Sequence, residues 1–220
     1  METFEQARKT IHTELISDDS SVRDEYMKHF GAEVNEFADV MANVVLAWRE
    51  IDSLVNGEEK RGYVSALAYA AFTLHLISFK VFLSGNLVAA GNLTRQVVET
   101  IALALLCADK SLDVLPRFME DKYSTNDAVR DVLRHGKRLG LKEEGLQALK
   151  SAQNFYHKYS HVSRLTLANL ISFSEEGTYV GAAFDNGKLE AYRKETDGRL
   201  SLAKVLPNLM QGLKAQLEAW

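Results

Sequence analysis

Apolar residues recur three and four positions apart over most of the 220-residue chain, which is the spacing of one face of an α-helix. The glycine- and asparagine-containing clusters Asn56-Gly57 and Ser84-Gly85-Asn86 are typical of helix ends. Together these signals predict long helices over residues 2–16, from the 17–21 cluster to Asn56, 59–83 and 87–108. Shorter helical pieces are predicted from Pro116, and from Thr125 to Gly136 or Gly140.

The same spacing predicts one more long helix over residues 142–173 and a last helix over 201–220, in which Pro207 marks a kink or a late start. The 142–173 helix is expected to turn one side toward the core. That side consists of Leu149, Ala152, Tyr156, Tyr159, Ser163, Leu167, Leu170 and Phe173.

The period changes near residues 178–195, where TYVGAAF and LEAYRKE flank Asn186-Gly187. Asn-Gly is the dipeptide that favours a tight type I′ turn between two strands. The prediction is a small inserted β-hairpin before the last helix. With no internal repeat or linker, residues 1–220 are expected to form a single domain, an all-α helical bundle carrying that hairpin.

Composition narrows the class of protein. The chain is 46% hydrophobic and has only two prolines, which fits long and rarely interrupted helices. Its single cysteine, Cys107, rules out an intramolecular disulfide framework and fits a reducing cytoplasm. A net charge of −4 provides no overall attraction to double-stranded DNA, so RNA binding would require a local basic patch.

The most apolar stretch, from Tyr63 to Leu83, contains His75 and Lys80, and the next apolar helix contains Arg95 and Glu99. Because charges within a bilayer are costly, two central helices of a soluble bundle are the better interpretation. The amphipathic N-terminus lacks the apolar run of a signal peptide. We therefore expect a cytoplasmic protein with no membrane partner.

The sequence contains no Gly-rich phosphate loop, HExxH, EF-hand loop, CxxC or GxSxG motif, and no cofactor or metal is expected. The 87–108 helix nevertheless carries one polar strip, formed by Asn92, Arg95, Gln96 and Glu99. Arg95 and Glu99 are four residues apart, so their heads can meet on one helix face. The pair either locks the register of the bundle or faces a polar cavity that binds a small anionic ligand.

Two further groups are candidates for chemistry. His157, His161 and Arg164 follow one another on the side of the 142–173 helix opposite its apolar stripe. This arrangement fits half a metal site, a general acid–base pair, or a solvated face or subunit interface. A basic patch contains Arg130, Arg134 and His135, followed by Lys137, Arg138 and Lys142. It either complements a helix C-terminus or binds phosphate or an RNA backbone.

Three features together resemble a group of bacterial all-helical proteins: GNLTRQVVET in an apolar helix, the YHKYSHVS segment, and a hairpin before the last helix. Those proteins carry an Arg-x-x-x-Glu pair and a Tyr…Ser-His segment, and they look like distant members of the HEPN superfamily. The resemblance covers roughly residues 60–175. It implies a helical bundle, often a homodimer, and in many members metal-independent RNA cleavage within toxin–antitoxin or phage-defence systems.

By this resemblance, Arg95, Glu99 and His161 would be the polar members of a site. The superfamily's catalytic signature is an arginine followed by a histidine, and Arg130 to His135 and Arg23 to His29 both match it. In the YHKYSHVS segment, however, residues 155–157 are Phe-Tyr-His where the arginine would stand. We therefore expect a non-enzymatic protein that acts by binding or self-association. The alternatives are a HEPN-type ribonuclease, in which His135 or His161 activates a ribose 2′-hydroxyl, and a small-anion binder.

Overall fold

The computed structural model describes residues 3–174 and 180–220, and within these ranges all regular structure is helical. Four short 3₁₀ turns occur at Lys110–Leu112, Thr125–Asp127, His157–Ser160 and Asn186–Lys188. The α-helices are α1 (Phe4–Ile16), α2 (Ser20–Ser53), α3 (Glu59–Leu83), α4 (Leu87–Ala108), α5 (Val114–Met119), α6 (Ala128–His135), α7 (Glu143–Tyr156), α8 (Arg164–Leu170) and α9 (Leu189–Glu218). The predicted all-α class is confirmed for these residues.

Helices α2, α3, α4 and α9 surround the main core, and α6 and α7 pack on α4 from outside. α3 and α4 form a helical hairpin whose connection contains Gly85 at φ +78°, a conformation that favours glycine. Cys107 lies near the end of α4 with no exposed surface, and burial raises the pKa of its thiol to about 12. The apolar faces predicted for α3 and α4 therefore meet each other and the long helices on either side.

Among the described residues, α3 is the helix long and apolar enough to cross a membrane by length and composition. Half of its most apolar stretch is buried against neighbouring helices. Its His75 has no exposed surface and donates from Nε2 to the carbonyl oxygen of Arg199 on α9, 2.9 Å away. Burial lowers the pKa of His75 to about 4, so its imidazole is neutral at neutral pH. α3 thus packs as a core helix of this bundle.

The prediction of a hairpin near 178–195 is wrong for the residues that the structure describes. Thr178 and Tyr179 are outside those described residues. Residues 180–185 form no strand, and α9 begins at Leu189, twelve residues earlier than predicted. The Asp185 side chain accepts from the Gly187 N–H at 2.9 Å, which starts a 3₁₀ turn in place of a type I′ turn. Beyond it, the buried residues Tyr192, Thr196 and Arg199 follow helical spacing.

The predicted 142–173 helix is also wrong, because it divides into α7, a 3₁₀ turn and α8. His161 has extended backbone angles, and Ser163 begins α8 with a capping box shared with Thr166. Tyr156 and Tyr159 are buried as predicted. The spacing also predicts core positions for Leu167, Leu170 and Phe173, but these residues are 53%, 59% and 58% exposed. The break rotates the second half of the segment away from the core.

The segment that leads into α9 is fixed by buried polar contacts. Lys188 is 4% exposed and lies 3.8 Å from an Asp185 carboxylate oxygen, and its Nζ donates to the carbonyl oxygen of Asn169 at 3.3 Å. Asp185 also accepts from the backbone N–H of Phe173 at 2.6 Å. Burial opposes ionisation of Asp185, but these hydrogen bonds outweigh it and lower its pKa. The end of α8 is thereby tied to the start of α9.

Candidate functional site

Arg95 and Glu99 on α4 form the ion pair that their spacing predicts. Arg95 Nε lies 2.8 Å from Glu99 Oε1, and Arg95 also donates to Asn126 Oδ1 at 3.0 Å. The pair thereby joins α4 to the 3₁₀ turn that precedes α6. The adjoining cavity, lined by Gln96, Glu99 and Thr125 among others, measures only about 160 Å³. This geometry favours the structural lock over a binding cavity at Arg95 and Glu99.

Asn92 faces a different region from Arg95 and Glu99. It is half-buried and lines a cavity of about 390 Å³ together with Asn86, Asn169 and Gly181. The polar strip of α4 therefore borders two separate spaces.

His157, His161 and Arg164 are all exposed. The two imidazole rings meet edge to face with centroids 4.8 Å apart, but the helix has ended between them, so the predicted i,i+4 arrangement on one helix does not form. Within the described residues, no hydrogen bond or ion pair joins His161 to Arg95 or Glu99. The same part of the chain contains no group of three side chains suited to hold a metal ion.

The basic patch is largely paired with acidic side chains. Arg130 lies 3.0 Å from Asp127, Arg134 lies 3.7 Å from Asp131, and Arg138 lies 3.2 Å from Asp109. His135 is half-buried at the end of α6. Because three of its cations have acidic neighbours, the patch offers less free charge to a phosphate than the sequence suggests.

A buried polar cluster lies where α7 and the 157–160 turn pack against α9. Glu195 forms an ion pair with Arg199, whose side chain is only 1% exposed. Glu195 also accepts hydrogen bonds from Tyr159 at 2.7 Å and, more weakly, from Tyr156 at 3.4 Å. The Arg199 guanidinium stacks on the ring of Phe82, 4.6 Å from its centroid. The Glu195 carboxylate is thus contacted from α7, from the 157–160 turn and from α9, and α3 completes the cluster through Phe82.

Burial dominates the electrostatics of this cluster. It raises the pKa of Tyr156 to about 12 and also raises the pKa of Tyr159, and the Glu195 charge acts in the same direction. Burial alone would lower the pKa of Arg199, but the paired Glu195 carboxylate counters it, so the guanidinium stays protonated. Both tyrosines are therefore neutral hydroxyl donors at neutral pH, and the ion pair is maintained.

The polar cluster borders a cavity of about 540 Å³ between α7, α8 and α9. Its wall is mainly aromatic and aliphatic, and Asn169, Lys194 and Glu195 are its charged or amide-bearing members. Such a volume and lining are typical of small-molecule sites. The lining residues are Phe82, Leu87, Ser151, Ala152, Phe155, Tyr156, Tyr159, Leu165, Asn169, Ala191, Tyr192, Lys194, Glu195, Gly198 and Leu202.

Sequence reasoning missed this cluster although its signal was present. Glu195 and Arg199 are four residues apart, as Arg95 and Glu99 are, but assigning residues 178–195 to a hairpin concealed their helical spacing. The apolar spacing predicts Tyr156 and Tyr159 only as core residues. No family model, curated protein or solved structure matches the chain. The HEPN resemblance therefore stays a prediction.

Proposed function

We propose that the protein is a HEPN-like, non-enzymatic helical protein that acts by self-association as a homodimer. The observation that carries the proposal is a large exposed apolar surface at the end of α1 and around α8. We call it the apolar surface. It consists of Leu15, Ile16, Val162, Leu167, Leu170, Ile171, Phe173 and Val180, which are between 43% and 89% exposed.

The members of the apolar surface are close together in the fold. Residues 162–173 are consecutive, and Leu170 and Gly181 line the same cavity. Glu14, next to Leu15, accepts from the Ala182 N–H at 3.2 Å, which brings the end of α1 beside Val180. At roughly 200 Å² per large side chain, their exposed fractions present on the order of 1,000 Å². That is at least the roughly 800 Å² that each partner contributes to a standard interface, and more than the largest apolar patch of most monomers.

Charge favours a second copy of this chain as the occupant. One edge of the apolar surface carries Asp18 and Asp19, which follow α1 beside Arg23, whereas Arg164 provides a cationic edge near Val162. A twofold axis through the surface places the acidic edge of each copy against the cationic edge of the other. The chain is thus complementary to itself in both apolar area and charge.

The geometry supports binding over RNA cleavage. Arg95 is engaged by Glu99 and Asn126, and His161 makes no side-chain hydrogen bond to either member of that ion pair. For RNA cleavage, the general base and the phosphate-binding cation must both contact the same RNA substrate. The ribonuclease alternative from the resemblance stays a prediction.

The proposal is tested by measuring mass with light scattering at micromolar concentration. We expect twice the 24.6 kDa of one chain. Leu167→Glu should return the chain to a monomer, because it places a charge within the interface. The matched control is Leu46→Glu, since Leu46 is 58% exposed on α2 and far from this surface in sequence. A monomeric wild-type protein, or a dimer unaffected by Leu167→Glu, would contradict the proposal.

A charge-reversal series tests the orientation of the two copies. Asp18→Arg and Arg164→Glu should each weaken the dimer by placing like charges together, and the double variant should restore it. Incubation with mixed RNA in EDTA tests the non-enzymatic part separately. Cleavage that His161→Ala or His135→Ala abolishes would favour the ribonuclease instead.

A further inference from the structure

We propose that the 540 Å³ cavity between α7, α8 and α9 binds a small monocarboxylic acid with an aromatic or aliphatic body. This inference is independent of self-association, because the cavity lies on the inner side of α8 and the apolar surface lies on its outer side. Leu165 and Asn169 line the cavity, whereas Leu167 and Leu170 are exposed on the opposite face of the same helix.

The wall of the cavity determines the body of the ligand. Phe82, Phe155, Tyr156, Tyr159 and Tyr192 supply aromatic surface, and the rings of Phe155 and Tyr156 meet edge to face with centroids 5.0 Å apart. A flat apolar group can pack between such rings with the geometry that aromatic side chains favour. The volume matches a ligand of one or two fused rings, or a medium aliphatic chain.

The polar atoms around the cavity determine the head group. Among the described residues, the buried Asn169 Nδ2 makes no well-aligned hydrogen bond, although its amide interacts with the Tyr159 hydroxyl. Asn169 lines the cavity, whereas Arg199 lies behind the lining rings of Phe82 and Tyr156. The Asn169 amide is thus the donor that borders the cavity, and the group that complements it is an acceptor.

Lys194 is the cation that a ligand at the cavity can reach. Glu195 neutralises Arg199, whereas the Lys194 ammonium lies at the exposed rim, 4.0 Å from a Glu190 carboxylate oxygen. An aromatic wall next to a carboxylate can also bind a cationic ligand, but here the Arg199 guanidinium is already the cation that contacts both groups. It pairs with Glu195 and stacks on Phe82, so a second cation would be repelled. A carboxylate would accept from the Asn169 amide and be attracted by the Lys194 ammonium.

Three probes with one shared body test the head group by calorimetry: 2-naphthaleneacetate, 2-naphthaleneethanol and 2-(2-naphthyl)ethylamine. We expect the carboxylate to bind at least about tenfold more tightly than the alcohol or the amine. Lys194→Gln should weaken carboxylate binding several-fold and leave alcohol binding nearly unchanged, whereas Asn169→Leu should weaken both and the carboxylate more, because both head groups accept a hydrogen bond. The proposal is overturned if no probe binds up to about 1 mM, or if the alcohol or the amine equals the carboxylate.

Two independent cavity-filling variants show whether the probe occupies this cavity. Gly198→Leu fills it from α9, where an added Cβ lies 3.6 Å from the Tyr156 hydroxyl, and Ser151→Trp fills it from the exposed side of α7. Each should abolish carboxylate binding, whereas Ala215→Leu, at an exposed α9 position outside the cavity, should not. Binding that survives both fillings would refute the site. The dimer mass, measured in parallel, keeps failure of this inference distinct from failure of self-association.

Discussion

Replacing Gly91 with alanine tests how the 157–160 turn is held on the bundle. Gly91 lies on α4 directly beneath the ring of Tyr159, and an added Cβ would be 2.3 Å from Cγ and Cδ1 of that ring. Tyr159 is 4% exposed, and its ring stacks on Tyr156 with centroids 6.0 Å apart. The ring therefore has to move as a unit, and the movement breaks its 2.7 Å hydrogen bond to Glu195.

The size of the destabilisation follows from three contributions, two unfavourable and one favourable. Overpacking in a well-filled core costs about 1–3 kcal/mol, and losing a hydrogen bond to a charged group costs about 1.5–3 kcal/mol. The higher helix propensity of alanine offsets about 1 kcal/mol. We expect a net destabilisation of about 1.5–5 kcal/mol, which for a chain of this size lowers Tm by about 3–20 °C.

The assay is thermal unfolding followed by circular dichroism, with Gly212→Ala as the matched control. Gly212 lies within α9 and no atom is within 4 Å of an added Cβ, so this variant should gain up to about 1 kcal/mol. The same substitution thus has opposite signs at the two positions. In a Tyr159→Leu background, Gly91→Ala should cost less, because the rigid ring is absent. A Gly91→Ala protein as stable as wild type, or an equal cost in both backgrounds, would refute the reasoning.

Two further predictions concern buried ionisable groups. The pKa of His75 is about 4 in the folded chain and about 6.5 in the unfolded chain. At pH values between these two, the His75 imidazole therefore binds a proton only in the unfolded state. Stability should fall by up to about 3 kcal/mol as pH is lowered from about 6.5 to 4, and His75→Gln should flatten that slope in urea unfolding at several pH values. Glu99→Gln should destabilise by about 1–2 kcal/mol, since Arg95 loses its counter-charge, and Arg95→Gln in the same chain should recover part of this. A parallel pH slope in the His75 variant, or an unchanged unfolding midpoint in the Glu99 variant, would contradict these expectations.

Helix positions were predictable where local signals agree with tertiary packing. α3 and α4 span Glu59–Leu83 and Leu87–Ala108, the predicted ranges, because Gly85 can adopt a positive φ at the connection and both neighbours are strongly apolar. The structure of the segment after Tyr156 was not predictable from the spacing of its apolar residues alone. There the Ser163–Thr166 capping box starts a new helix, and its rotation exposes Leu167 although the spacing assigned that residue to the core.

In the candidate site, too, the contacts between residues close in sequence were predictable and those between distant residues were not. Arg95 and Glu99 pair within one helix, so their contact follows from a spacing of four. Tyr159 and Glu195 are 36 positions apart, and no periodicity links them. Their contact depends on the 157–160 turn packing over Gly91, which is a property of the whole bundle.

Because Cys107 is buried, the reactivity of its thiol measures how often the folded chain opens around it. Its thiol has no exposed surface, and a pKa of about 12 leaves almost no thiolate at neutral pH. A thiol-directed reagent can therefore modify the chain only when the surroundings of Cys107 open, at the end of α4 where Pro116 and Trp220 line the adjoining cavity. Since no second cysteine competes, the labelling rate reports how often this end of α4 opens, with no engineered label.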